Sequence, residues 1–174
     1  AGFAKAIRFM GSAGADGVTV VGVLGESNRI TDTERMRLIR CAVEAAGSVG
    51  RPFPVCVGTS HSGTAATVAL SQMAQDLGAA AVMVTPSKEA SGNWDDALLT
   101  LYARVAAGCP GLPIVLQDHP GSTGVHMPVP LLAKIVAEVP SVGCIKLESL
   151  PTPAKIAALR AAWAKAPPAQ ECTI

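Results

Sequence analysis

The chain has 174 residues, 49% of them hydrophobic, which is enough apolar matter for one folded core and too much for a disordered tail. Its formal charge is +1 with acids and bases interspersed, so it offers no electrostatic footprint for nucleic acid or an anionic membrane surface, and small organic molecules are the expected partners. Five scattered cysteines (Cys41, Cys56, Cys109, Cys144, Cys172) lack any C-x-x-C spacing, which speaks for reduced thiols in a cytoplasm and against a metal site; apolar runs such as AAAVMVTP fall far short of the roughly 20 residues that span a bilayer.

In chain order, the sequence opens at AGFAKAIRF without Met and already in helical rhythm. A β-branched run follows, GVTVVGV from Gly17, then GESNR and the helical TDTERMRLIRCAVEAAG. There Thr31 and Glu34 form a capping box, Met36, Ile39, Ala42 and Val43 share one face, and Gly47 is the expected stop. FPVCVGT from Phe53 leads through GTSHSG into SGTAATVALSQMAQDLGA, with Gly78 as its stop. AAVMVTP from Ala80 leads through TPSKE into NWDDALLTLYARVAAG, ending at Gly108. PIVLQDH from Pro113 leads through QDHPGSTG into MPVPLLAKIVAEV, and VGCIKLE from Val142 leads through KLES into a last helix before PPAQECTI. Both ends read as cut, so residues 1–174 are expected to be one partial domain that starts in a first helix and stops after the helix behind the last strand.

Strands alternating with helices about every 30 residues make right-handed parallel βαβ units. The strands are nearly continuous in apolar character, as when both faces are covered. An open doubly wound sheet and a closed (β/α)8 TIM barrel both satisfy this pattern. No strand is followed by G-x-G-x-x-G or G-x-x-x-x-G-K, which removes the cradle of a nucleotide-binding sheet, whereas every strand ends in a polar cluster where barrels carry their chemistry.

One such cluster is SVGCIKLES. Strand alternation puts Cys144, Lys146 and Glu148 on one face and Ile145 and Leu147 on the other. A lysine held inside a barrel among Val, Ile and Cys would be partly desolvated, which favours the neutral amine and makes it a nucleophile toward carbonyls; the plainer reading is an edge lysine snorkelling to solvent. At the fourth strand's end, His119 or Asp118 is a candidate acid or base, and alternation, which pairs His119 with Gln117, favours His119. Thr59, Ser60 and His61 line the mouth, or Ser60 or Ser62 caps the next helix. His126 reads as a loop residue, and Trp94, Trp163 and Tyr102 as packing residues on helices.

GVLGESNRITDTERMRLI, VGTSHSGTAATVALSQMAQDLGAAAVMVTP, PIVLQDHPGSTGV and VGCIKLES, in this order and spacing, resemble the dihydrodipicolinate synthase and N-acetylneuraminate lyase family of class I aldolases. The resemblance reaches to about Arg160 and implies a (β/α)8 barrel, assembled as a homotetramer, of which the five strands here are the second to sixth. Standing alone, such a partial barrel would expose sheet edges and be inactive. The resemblance makes Lys146 the Schiff-base lysine, with no cofactor, and pyruvate or another 2-oxo acid the substrate.

Departures from the family pattern are as informative. Gly22, Gly25 and Glu26 match its G-T-T-G-E, but Val23 and Leu24 replace the two threonines; Ser27 completes its G-E-S. Glu26 is expected to be a structural carboxylate capping nearby backbone amides. Gln117 stands where the family has its proton-relay tyrosine, Ser87 and Lys88 replace a tyrosine pair, and Ser122 replaces the arginine that holds the second substrate. Lys88 is then either a cation for the substrate carboxylate or a like charge beside Lys146. The losses argue against dihydrodipicolinate synthesis itself and for a Schiff-base lyase, an aldolase or a dehydratase, with Lys146, His119 and Gln117 at the reaction and Gly25, Glu26, Ser27, Thr59, Lys88 and Ser122 around the substrate. A catalytically inactive barrel kept for binding or regulation is the alternative.

Overall fold

A computed structural model describes residues 2–87 and 94–174. Five strands, β1 (Val18–Val20), β2 (Val55–Gly58), β3 (Ala81–Val84), β4 (Ile114–Asp118) and β5 (Val142–Leu147), pair in parallel in the order β1-β2-β3-β4-β5. The helices are α1 (Gly2–Ser12), α2 (Asp32–Gly47), α3 (Thr64–Asp76), α4 (Trp94–Gly108), the single turn α5 (Pro120–Thr123), α6 (Val129–Glu138) and α7 (Thr152–Lys165). A doubly wound sheet must reverse its strand order at a switch point; here every crossover moves one strand along in the same direction, so right-handed connections stack the helices on one face. That is the wall of a barrel.

Register sorts the side chains. Gln117 pairs with Lys146, Val115 with Cys144, and Cys56 with Ala81 on the helix-free, concave face, whereas Val57, Val82, Val84, Ile114, Leu116 and Ile145 turn to the helices and are almost wholly buried. The strand runs are thus β-branched on their helix-facing side because that side is the core.

The expected capping box is present: Thr31 Oγ1 accepts from the Glu34 N–H at 3.3 Å and Glu34 Oε2 from the Thr31 N–H at 2.9 Å. The buried face of α2 is different from the expected one. Ile39, Ala42, Ala45, Ala46 and Arg35 are buried, while Met36 is exposed and Val43 only partly covered. Arg35 goes inward because its Nη2 donates to the Ser27 carbonyl at 2.7 Å, tying the loop after β1 to the helix. Gly78 ends α3 in the left-handed region at φ +88, which suits glycine.

Two close approaches shape the strand ends. Val21, a β-branched residue, sits at φ 55 where β1 breaks into a 3-10 turn over Val23–Gly25, and its carbonyl lies against the bare Cα of Gly58: a Cβ there would fall 2.4 Å from Val21 O and 2.7 Å from Gly22 Cα. Backbone on both sides leaves nothing cheap to move. Gly58→Ala should therefore destabilise the fold by about 1–3 kcal/mol, read as a drop in thermal midpoint, and a variant as stable as the parent would show that this turn can give way.

At the other edge, α7 buries Leu159 completely, worth about 1.5–3 kcal/mol, and sends Lys155 back to the end of β4. The residues after α7 return to the sheet. Thr173 pairs with Cys144 as a parallel bridge, Ile145 N–H donating to Thr173 O at 2.8 Å and Thr173 N–H to Gly143 O at 3.1 Å, so the last residues lie where the next parallel strand of a barrel would.

Candidate active site

Chemistry gathers at the carboxyl ends of β4 and β5. Because Gln117 and Lys146 are register partners on the concave face, their side chains emerge together, and Glu148, two residues beyond Lys146, joins them. Gln117, 3% exposed, donates from Nε2 to Glu148 Oε2 at 2.6 Å, and Lys146 Nζ stands 3.2 Å from Glu148 Oε1. One carboxylate oxygen is thus committed to the amide and the other to the amine. Burial pushes the Glu148 carboxyl up, but the hydrogen bond from Gln117, the hydrogen bond and charge of Lys146 and the charge of His119 outweigh it, leaving it below its ordinary value.

The surroundings of Lys146 differ from the expected apolar sleeve. Its side chain is 46% exposed and paired with Glu148. Alternation is the reason: Ile145 faces the helices and is buried there, so the amine's own face carries Cys144 and Glu148 instead. Glu148 is not among the site residues expected from sequence. Its two-residue offset from Lys146, which puts both on one face of the strand, is the signal that points to it.

His119 lies two residues beyond Gln117, half-buried, with its ring close over Gly121; its Nδ1 is buried without a hydrogen-bond partner among the described residues. Asp118, the other candidate acid or base, is not on this face. It is fully buried on the helix side, its Oδ2 held by Lys155 Nζ at 2.5 Å. Tyr102 of α4 is buried nearby, its hydroxyl donating to Val84 O at 3.0 Å, and burial together with the Asp118 charge pushes that phenol up.

The remaining expected site residues divide. Thr59 continues the helix-facing side of β2: it is 1% exposed and its hydroxyl bonds Ser71 of α3 at 2.8 Å, which removes it from the mouth. Ser60, facing the other way, accepts the Thr85 N–H at 2.8 Å. Neither Ser60 nor Ser62 caps α3, whose N-cap is Gly63. Ser27 and Ser60 line both an outer cavity of about 460 Å³, shared with Ser122, and a small inner one that reaches Gln117. Ser122 donates to the His119 carbonyl at 3.2 Å, and Gly25, in the exposed 3-10 turn, donates its N–H to Gly22 O at 3.0 Å. Among the described residues Glu26 caps no backbone amide with its side chain; its exposed carboxylate pairs with Arg29 at 3.3 Å. Lys88 lies outside the described residues. Among the described residues no three His, Cys, Asp or Glu side chains are grouped to hold a metal, and no helix is long and apolar enough to cross a membrane.

Compared with known proteins, residues 1–158 match the profile of the dihydrodipicolinate synthetase family. The chain belongs to that family. Among its curated relatives is the L-2-keto-3-deoxyarabonate dehydratase of Azospirillum brasilense, 38% identical over 148 residues, covering 83% of this chain and 46% of the relative. A 4-hydroxy-tetrahydrodipicolinate synthase of Stenotrophomonas maltophilia is 36% identical over 143 residues, covering 82% and 46%. The chain spans about half the length of the curated relatives it matches. Dihydrodipicolinate synthase from Rhodopseudomonas palustris superposes with a TM-score of 0.86 at 28% identity over 99% of this chain and 56% of that one. The chloride-inhibited synthase from Acinetobacter baumannii, complexed with pyruvate, superposes at 0.79 with 26% identity, covering 91% and 53%. The five parallel strands are therefore an arc of this family's TIM barrel, and the relatives named here are a dehydratase and synthases.

Proposed function

We propose that this family member is a Schiff-base-forming lyase that dehydrates a 2-oxo acid, with Lys146 as nucleophile, Glu148 as the group that moves protons and Gln117 as the donor that orients Glu148. The observation that carries the reading is the continuous chain from Gln117 to Glu148 to Lys146 across two neighbouring strand ends on the concave face. The carboxylate 3.2 Å from the ammonium can take its proton, freeing the amine to add to the C2 carbonyl. Returned to the carbinolamine hydroxyl, that proton leaves as water and the protonated imine remains. Glu148, again a carboxylate, removes a proton from C3 to give the enamine. If C4 carries a hydroxyl, the enamine electron pair expels it while Glu148 hands the same proton over, and the sum is loss of one water. Hydrolysis of the imine returns Lys146.

Aldol cleavage passes through the same imine. Dehydration is favoured by the carboxylate at the lysine, by Gln117, which is no acid or base, at the position of the relay tyrosine, and by the dehydratase name of the 38% identical relative. The test is proton exchange. Pyruvate incubated with the full-length protein in heavy water should lose its methyl proton signal, because imine formation and C3 deprotonation exchange those protons. A protein that binds pyruvate without exchanging it would be a binding module instead.

A further inference from the structure

We propose that the buried ion pair between Lys155 of α7 and Asp118 of β4 is a positioning device for the reacting groups: it fixes the rotation of the β4 end that aims Gln117 at Glu148. The inference rests on the roles given above to Lys146 and Glu148. Asp118 stands between Gln117 and His119, and strand alternation makes the three one rigid lever. Its outer arm is the carboxylate, fully buried and held at 2.5 Å by a lysine only 14% exposed; its inner arm is the Gln117 amide, 2.6 Å from Glu148. Turning the strand end moves both arms together.

The links close on themselves. Gln117 holds the Glu148 side chain, the Glu148 N–H donates to the Asp118 carbonyl at 2.9 Å, the chain runs from Glu148 into α7, and Lys155 returns to Asp118. A charge-assisted bond is directional where an apolar contact would let the strand end roll. Net stability is a poor explanation for such a pair, since well-packed apolar residues commonly serve as well or better in a buried place. The carboxylate has one pin, for its Oδ1 has no partner among the described residues, and the nearby Tyr102 hydroxyl is committed to Val84 O. On the site side, the charged and titratable groups facing Glu148 among the described residues are Lys146 on its own strand and His119 from β4, with Gln117 as the neutral donor.

The test follows pyruvate methyl exchange against pH and pyruvate concentration in the full-length protein. Lys155→Met should lower the saturated exchange rate about 10- to 100-fold with little change in the half-saturating pyruvate concentration. It should also move the acid limb of the rate profile to higher pH, because Glu148 loses the hydrogen bond that favours its ionised form. Lys155→Arg, which keeps the charge, should restore rate and limb at least in part. A purely structural pair would lower the thermal midpoint and leave the limb where it is, and that result overturns the proposal. Should Lys155→Met fail to fold because it strands a buried carboxylate, Asp118→Asn with Lys155→Met decides: a shifted limb supports the proposal, and parental rate and limb overturn it. A parent protein that exchanges nothing removes both this inference and the lyase reading, whereas an exchanging parent with unaffected variants removes only this one.

Discussion

Lys146→Met should abolish methyl exchange and lower turnover of any 2-oxo acid substrate by about 10³- to 10⁶-fold, the scale seen when a covalent nucleophile is removed, without unfolding the barrel wall. The side chain is half-exposed and joined to Glu148 at 3.2 Å, the kind of pair whose loss costs about 0–1 kcal/mol. Gln117 remains bonded to Glu148 in the variant, so the strand ends keep their connection. Turnover within tenfold of the parent, measured in the same assay on protein of parental thermal midpoint, would assign the nucleophile elsewhere.

Glu148→Gln should lower turnover by about 10²- to 10⁴-fold, as expected for loss of a group that both accepts and donates a proton, while pyruvate binding persists. The pH dependence carries a sign. Because the folded-state carboxyl lies below its ordinary value, the parent keeps an ionised Glu148 through neutral pH and loses rate only as pH falls through that lowered value; the variant has no such limb. Stability follows the same direction. A carboxyl lowered on folding contributes stability that is present above its unfolded value and lost as pH falls through its folded one. The thermal midpoints of parent and Glu148→Gln should therefore differ most near neutrality and converge in acid. A gap that stays constant with pH would mean that Glu148 gains no partner on folding.

Much of the scaffold is written in local pattern. The five strands stand out because a parallel strand covered by helices buries β-branched and apolar side chains, as at Val57, Val82, Leu116 and Ile145; the pattern marks the parallel βαβ repeat, and the polar strand ends point to the barrel. Lys146 was legible for the same reason: a long cation at the end of such a run must face the open side. The same alternation keeps Ile145 and Leu147 off the amine's face, so they cannot wrap it. Glu148 and Thr59 fall under the same rule, Glu148 joining the lysine and Thr59 turning away to Ser71.

Other features are not local. Arg35 is buried because the Ser27 carbonyl, eight residues earlier, needs a donor once the 3-10 turn has folded over Gly58. The Asp118–Lys155 pair joins a strand end to a helix residue 37 positions later in the chain, and only the fold that lays α7 beside α6 brings them together. Periodicity finds faces; it does not find the partner that each buried charge acquires.

Incubating the full-length protein with pyruvate, reducing with borohydride and mapping the modified peptide tests the covalent role of Lys146 most directly. The predicted result is a reduced pyruvyl adduct on Lys146 and none in Lys146→Met. An adduct confined to another lysine, or no adduct at saturating pyruvate in a correctly folded protein, would contradict it.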